Sequence, residues 1–298
     1  MVSRMKHEFW TIAYRKRQGE NTLLDDTATA FLEIPNSWRY WYADPYLICR
    51  EGKTWVFAEA YDRVLRRGVI SCCTVGEQGT GPWKVVLKQP YHLSYPHLLC
   101  RGDDVYMIPE SYVANEIAVF KAVRFPDRWE KAAVLKTGGE PVDSTVFYFD
   151  GRRWLLTMTM SGGVDRLMLY GLQDDGTLGE GFCVREADAN SRPAGHFFCH
   201  DGRLLRPAQD CTESYGCALN FFEVTDVAEE HYAETLIRKI YPDEVRSDLR
   251  YPHQGLHTYN FTDSYEVIDI KGYETDLLYY VMRPLWFIWR RVRKVFGR

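Results

Sequence analysis

The stretch Ala43-Asp44-Pro45-Tyr46-Leu47-Ile48 runs into the turn Arg50-Glu51-Gly52-Lys53 and returns as Trp55-Val56-Phe57-Ala58-Glu59. The same template is written again as Ser94-Tyr95-Pro96-His97-Leu98-Leu99, turning at Gly102-Asp103 and returning through residues 105–110. A third copy is Val142-Asp143-Ser144-Thr145-Val146-Phe147, turning at Asp150-Gly151 into residues 154–158. Apolar, aromatic and β-branched runs on either side of a glycine turn predict a β-hairpin. Two fainter copies follow, Ala194-Gly195-His196-Phe197-Phe198-Cys199 with its turn at Asp201-Gly202, and Leu256-His257-Thr258-Tyr259-Asn260-Phe261 with its turn at Asp263-Ser264.

Taking Asp44, Tyr95, Asp143, Ala194 and His257 as equivalent, the steps are 51, 48, 51 and 63 residues. A repeat of about 50 residues that opens with a hairpin is the mark of a four-stranded propeller blade. The expected fold is therefore all-β, a five-bladed β-propeller over residues 1–276, followed by a short basic, aromatic C-terminal helix over 277–298. An all-β sandwich with similar hairpins is the alternative. Propellers need ring closure, and Phe9-Trp10-Thr11-Ile12-Ala13-Tyr14 is the strand expected to complete the last blade, whose own final strand (268–273) looks short.

The formal net charge of −4 gives no electrostatic case for nucleic acid, and no zinc-finger or basic-region pattern supplies one. The first residues lack an apolar core of signal-peptide length, and no later stretch is long and uncharged enough for a standard spanning helix, so the expected location is the cytoplasm. The 8 cysteines show no CxxC spacing, which predicts buried, reduced thiols rather than a metal or redox centre.

In a blade the innermost strand and its return strand are antiparallel, so the start of one and the end of the other share a face. Fifteen residues separate Asp44 from Glu59, and the same fifteen separate Tyr95 from Glu110 and Ala194 from Gln209, with Asp210 beside it. The third repeat carries Met158 at that position, so folding does not demand an acid there. Asp44, Glu59, Glu110 and Asp143 are expected to converge on one rim, where paired carboxyl groups can serve as acid and base. Arg192, His196, Arg206, Gln209 and Asp210 are further rim candidates, because arginine forks bind carboxylate or phosphate. His257 offers a base or a water-mediated ion ligand, and Trp41 a stacking face for a sugar ring; a packed core is the competing role for both.

At these residues the chain resembles the N-terminal domain of glucosamine inositolphosphorylceramide transferases and its stand-alone bacterial relatives. The resemblance rests on Ala43-Asp44-Pro45-Tyr46, Phe57-Ala58-Glu59, Ser94-Tyr95-Pro96, Met107-Ile108-Pro109-Glu110-Ser111, Arg206-Pro207-Ala208-Gln209-Asp210 with Tyr215-Gly216, and Gly255-Leu256-His257-Thr258. Such domains are similar to the five-bladed propellers of arabinanase, β-xylosidase and β-fructosidase type hydrolases. That likeness implies a base or nucleophile at Asp44 and an orienting carboxylate at Asp143. It also implies a glutamic acid in the fourth blade, where this chain has Ala194-Gly195-His196; Glu110 or Glu59 is the substitute donor. Some related propellers hold a cation on the central axis, which His257 could reach through water; because a hard cation wants oxygen ligands and one histidine is not a site, at most a weakly held axial calcium and no other cofactor is expected.

Residues 277–298 change the composition abruptly. From Arg283 onward there are six basic residues and no acid, which against the net −4 of the chain leaves −10 on the rest. Trp286 and Trp289 beside this cluster suit an anionic leaflet, each basic residue contributing about 1 kcal/mol. The expectation is a peripheral protein on the inner leaflet. It would bind and process a sugar or lipid-linked glycan in envelope polysaccharide or glycolipid biosynthesis, with glycosidase-like or glycosyl-transfer chemistry. The alternative is a non-catalytic glycan-binding or scaffold module working with a separate glycosyltransferase.

Overall fold

The structure, a computed structural model, describes residues 6–135 and 139–275. The described chain opens with β1 (Lys6–Lys16) and β2 (Leu32–Ile34), which belong to the last blade. Blade 1 is β3 (Tyr40–Arg50), β4 (Lys53–Asp62) and β5 (Arg67–Gly76), with β6 (Gly79–Thr80) and β7 (Lys84–Leu87) both paired to β5. Blade 2 is β8 (Ser94–Arg101), β9 (Asp104–Glu110), β10 (Ile117–Arg124) and β11 (Arg128–Leu135). Blade 3 is β12 (Glu140–Phe149), β13 (Arg152–Ser161), β14 (Val164–Leu172) and β15 (Leu178–Glu186). Blade 4 divides its innermost strand into β16 (Arg192–Pro193) and β17 (Phe198–His200), both paired to β18 (Arg203–Asp210), and continues outward through β19 (Ala218–Ala228) and β20 (His231–Ile240). Blade 5 is β21 (Leu256–Phe261), β22 (Tyr265–Thr275), β1 and β2.

All five expected hairpins are present. In three of them the turn residues explain why the strands meet in register: Glu51-Gly52, Asp150-Gly151 and Asp201-Gly202 each take two successive positive φ angles. That is the mirror-image turn whose twist matches the flanking strands, and glycine adopts its second position without steric cost.

Each seam between neighbouring blades holds its own apolar core. Ile48, Phe57, Met107 and Phe120 fill the seam of blades 1 and 2; Ile108, Val146, Leu155 and Tyr170 that of 2 and 3; Phe147, Trp154, Leu169 and Val224 that of 3 and 4. Phe198, Phe221, Leu256 and Tyr259 join blades 4 and 5, and Ile12, Ile34, Tyr42 and Val56 join blade 5 to blade 1. Truncating a fully buried ring such as Trp154 or Phe221 in such a seam costs about 3–5 kcal/mol.

The ring closes as the N-terminal aromatic run predicts. β1 pairs antiparallel with β22 from Lys6 opposite Thr275 to Lys16 opposite Tyr265. The final strand of the last blade is not short: β22 has 11 residues, all of them used in this closure. Closure covers the outer edge of β22, which would otherwise stand open.

The cysteines depart from the expectation. All 8 are free, but only Cys72 and Cys73 are buried. Cys49, Cys100 and Cys199 stand beside the hairpin turns, where strands run out into solvent, and Cys183 is on the outermost strand of blade 3. The expected C-terminal helix and tail, 277–298, lie outside the described residues. Among the described residues no helix is long and apolar enough to cross a membrane.

Candidate functional site

The repeated opening is a bulge. In blades 1, 2, 3 and 5 the inner strand slips at the same place, between Ala43 and Tyr46, Ser94 and His97, Val142 and Thr145, and Leu256 and Tyr259. The inserted pairs begin with Asp44, Tyr95, Asp143 and His257, the residues aligned by the repeat. Asp44, Tyr95 and Asp143 hold φ angles of 53°, 41° and 50°. Left-handed backbone at a non-glycine residue costs roughly 1–3 kcal/mol and persists where surrounding structure enforces it, characteristically at functional sites.

These bulges, with the far ends of the return strands, gather buried acids. Asp44, Glu59, Glu110, Asp143 and Asp269 are all buried. The Tyr95 N–H donates to Asp44 Oδ2 at 3.1 Å, and the Thr258 hydroxyl donates to Asp44 Oδ1 at 3.1 Å. Arg192, on β16, spans the gap between blades: its Nε donates to Asp143 Oδ2 at 2.5 Å and its Nη2 to Glu110 Oε2 at 3.3 Å. Gln209 adds a donor to Asp143 Oδ2 at 3.2 Å. Four of the expected residues from three blades, Glu110, Asp143, Arg192 and Gln209, are thus joined in one hydrogen-bonded group.

Asp269 was not singled out from the sequence. Its Oδ1 accepts the N–H groups of His257 (3.2 Å) and Thr258 (2.9 Å), and its Oδ2 accepts the Asp44 N–H at 2.8 Å. It therefore holds two bulges in place. The signal for it is a lone acid between Ile268 and Ile270, in the middle of a strand candidate. His257 lies flat on Trp10, with ring centroids 3.7 Å apart and planes 12° apart. Its Nδ1 is 2.6 Å from Asp269 Oδ2 and its Nε2 is 3.4 Å from Asp44 Oδ1. Tyr215 packs edge-on against His257 and lies under the Arg192 guanidinium at 5.3 Å.

Burial pushes the Asp44 carboxyl up to about 6, against the opposing pull of His257. Burial, reinforced by Asp44, Glu110 and Asp143, raises Glu59 well above the usual carboxylate range. Glu110 is raised by burial and by Asp143, with Arg192 working against the rise. Burial disfavours the charged His257 ring, but Asp269 and Asp44 outweigh it and raise the imidazole above its ordinary value. The arrangement sets carboxyl groups that burial biases toward the neutral form beside an aspartate raised to about 6, a pairing suited to acid and base acting on one bond.

The remaining expected residues are placed differently. Arg206 is wholly buried inside blade 4, its Nε and Nη2 on Glu234 at 2.7 and 2.6 Å and its Nη1 on the Ser191 carbonyl at 3.0 Å. It is an internal strut, not a clamp, because every edge of the fork already faces a partner within its own blade. Asp210 caps the turn at Thr212 and pairs with Lys239 on β20, so it too is turned outward along the blade. His196 pairs with Asn260 Oδ1 at 2.5 Å and packs against Phe261; burial lowers it to about 4, and it stays neutral beside the aromatic seam rather than joining the acids. Tyr95 is fully buried, its hydroxyl tying Thr145 (2.9 Å) to the Gly195 N–H (2.8 Å) across blades. Trp41 is half-buried and stacked on Tyr61, with centroids 4.6 Å apart. For a cation, Asp44, His257 and Asp269 offer one atom each within 4.8 Å of one another. Two of these are carboxylate oxygens and one is an imidazole nitrogen, a sparse set for a hard ion that prefers six or more oxygens.

The solved structures similar to this chain share the fold. A Coprinopsis cinerea GH62 α-L-arabinofuranosidase catalytic domain superposes with a TM-score of 0.58 at 11% identity, covering 84% of this chain and 83% of the other. A thermostable family-43 glycoside hydrolase gives 0.56 at 12% identity, covering 81% and 91%. An α-L-arabinofuranosidase from Clostridium thermocellum gives 0.52 at 12% identity, covering 74% and 78%. In sequence, the chain is 25% identical over 237 residues to glucosamine inositolphosphorylceramide transferase 1 of Arabidopsis thaliana, covering 73% of this chain and 29% of the relative. It is 26% identical over 204 residues to the protein of the same name from Oryza sativa subsp. indica, covering 64% and 27%. The chain thus spans under a third of the length of these curated relatives. Residues 32–267, which take in the bulges at Asp44, Tyr95, Asp143 and His257, match the family described as the N-terminal region of glucosamine inositolphosphorylceramide transferase 1, and the chain belongs to that family.

Proposed function

We propose that this carbohydrate-related propeller binds a sugar unit of a glycan or glycolipid at the carboxylate rim and processes its glycosidic bond. One observation carries the reading: carboxyl groups from separate hairpins are brought together and buried, with Arg192 set against Glu110 and Asp143 and His257 against Asp44. A fold has no need of such a cluster, since each unpaired buried acid is costly.

In this reading a neutral Glu59 or Glu110 gives its proton to the leaving glycosidic oxygen as the C1–O bond breaks. Asp44, ionised above about 6, takes the proton of an incoming water or acceptor hydroxyl, or attacks C1 itself. Asp143, fixed by Arg192 and Gln209, orients the sugar. Trp41 supplies an apolar face nearby. The test is a panel of glycosides and lipid-linked sugars offered to the unsubstituted protein and to Asp44→Asn. Turnover is expected to fall at least about a hundredfold. Unchanged turnover with weaker binding would instead support a glycan-binding module that serves a separate glycosyltransferase, a reading favoured by Ala194-Gly195-His196, where blade 4 lacks an acid.

The setting belongs to the same proposal: cytoplasmic, at the inner leaflet, through the basic segment 283–298, in the assembly of envelope polysaccharide or glycolipid. No tightly bound metal is proposed, and at most a weakly held calcium at the axis.

A further inference from the structure

Glu59 and Glu110 occupy equivalent ends of β4 and β9, yet their surroundings differ. Glu110 faces a fixed cation, Arg192, which favours its charged form. The groups that act on Glu59 are Asp44, Glu110, Asp143 and Asp269, and its one close basic neighbour is His92, from the connection between β7 and β8. His92 Nδ1 accepts the Gly68 N–H at 3.0 Å. The proton of the neutral ring therefore sits on Nε2, which lies 3.3 Å from Glu59 Oε1. Burial keeps this ring neutral by lowering it to about 4.

The corner is tightly built. A Cβ on Gly68 would come within 2.6 Å of Glu59 Oε1 and 2.3 Å of the Leu93 carbonyl oxygen, so the glycine is what lets β5 press against the carboxyl group. Oε1 is sealed from solvent and accepts no hydrogen bond in this structure; His92 Nε2–H, 3.3 Å away, approaches it without pointing along a bond. Contacts in unliganded catalytic sites are often poorly aligned and tighten only when a ligand binds. With that donor turned onto Oε1, Oε2 is the oxygen left to carry the proton of the neutral acid.

We infer that Glu59, not Glu110, is the proton donor of the rim, that Oε2 bears the proton, and that His92 is the positioning residue that decides this. The inference rests on the reading of the rim as a glycosyl-processing site. Its first test needs no substrate. Nitrogen shifts of histidine-labelled protein should show His92 neutral with its proton on Nε2 from about pH 5 to pH 8. The Glu59 carboxyl signal, assigned by its loss in Glu59→Gln, should titrate above the Glu110 signal. His92→Phe should raise the Glu59 midpoint by about one pH unit, because it removes a donor to the carboxylate, and His92→Gln should restore it. A proton on Nδ1, a higher midpoint at Glu110, or a Glu59 midpoint unmoved by His92→Phe would each overturn the inference. The tautomer is read in the unsubstituted protein, so a variant that fails to fold does not shield it.

On any glycan that is turned over, Glu59→Gln should lower kcat at least about a hundredfold. A loss of that size in Glu110→Gln with Glu59→Gln active would also overturn it. If the proton placement is as expected and no glycan is turned over, the enzymatic reading fails and the placement at Glu59 stands.

Discussion

Two arginines of blade 4, Arg192 on β16 and Arg206 on β18, show how one residue type serves two ends. Arg206 is 0% exposed and shares a two-point contact with Glu234, a residue of its own blade. Arg192 keeps 24% of its side chain exposed and reaches carboxylates of two other blades, Asp143 and Glu110. The first is a closed pair of matched charge. The second lies among more acids than it can neutralise, and Glu59 and Glu110 respond with pKa values raised by burial and by their acidic neighbours. A structural ion pair is completed within its sheet; the rim is left with an imbalance that a ligand or a proton must settle.

The largest effect that would break this comparison is on stability. Arg206→Met should destabilise the fold by roughly 3–5 kcal/mol in urea unfolding, since it strips the buried Glu234 of its two-point partner and leaves it the part-exposed Arg185 and the Tyr232 hydroxyl. If Arg206→Met is tolerated, the strut assignment is wrong and Arg206 returns as a rim candidate.

A smaller effect of opposite sign is expected at the rim. Folding raises the pKa of Glu59, so the folded state prefers its protonated form. The associated stability is present at acid pH, below the usual glutamate value, and is lost as pH rises through the folded value. Glu59→Gln should therefore leave stability near pH 4 almost unchanged and increase it at pH 8 by roughly 1–3 kcal/mol, measured by thermal unfolding at both values. A loss at pH 8 would mean that Glu59 is ionised and paired in the fold. The smallest effect is that of Arg192→Met, about 1 kcal/mol or less, because Glu110, already raised by burial, can take up a proton when the cation goes. A loss as large as that of Arg206→Met would place both arginines in the same structural class.

Much of the molecule was legible in the chain. The spacing of Asp44, Tyr95, Asp143 and His257 located four inner bulges, and the aromatic run at residues 9–14 located the closing strand. Turn glycines, alternation and a period near 50 are local properties, set by residues adjacent in sequence, so they survive without knowledge of the fold. That Asp44 and Glu59 share one end of a hairpin also followed, because antiparallel pairing alone brings residues fifteen apart together.

Partnership between blades was decided only by the tertiary structure. Arg192 and Arg206 look alike in sequence; which one crosses to another blade depends on strand register and on Glu234 lying opposite Arg206. His196 and Asp210 read as rim residues, yet the strand break between β16 and β17 and the reach of Lys239 turn them toward seams and outer strands. Asp269 and His92 have no repeat position to announce them. Their roles come from closing a ring of five sheets, which sets backbone N–H groups and a glycine corner against carboxyl groups remote in the chain. Periodicity carries the architecture; which charge meets which is a long-range property that exists only once the ring has closed.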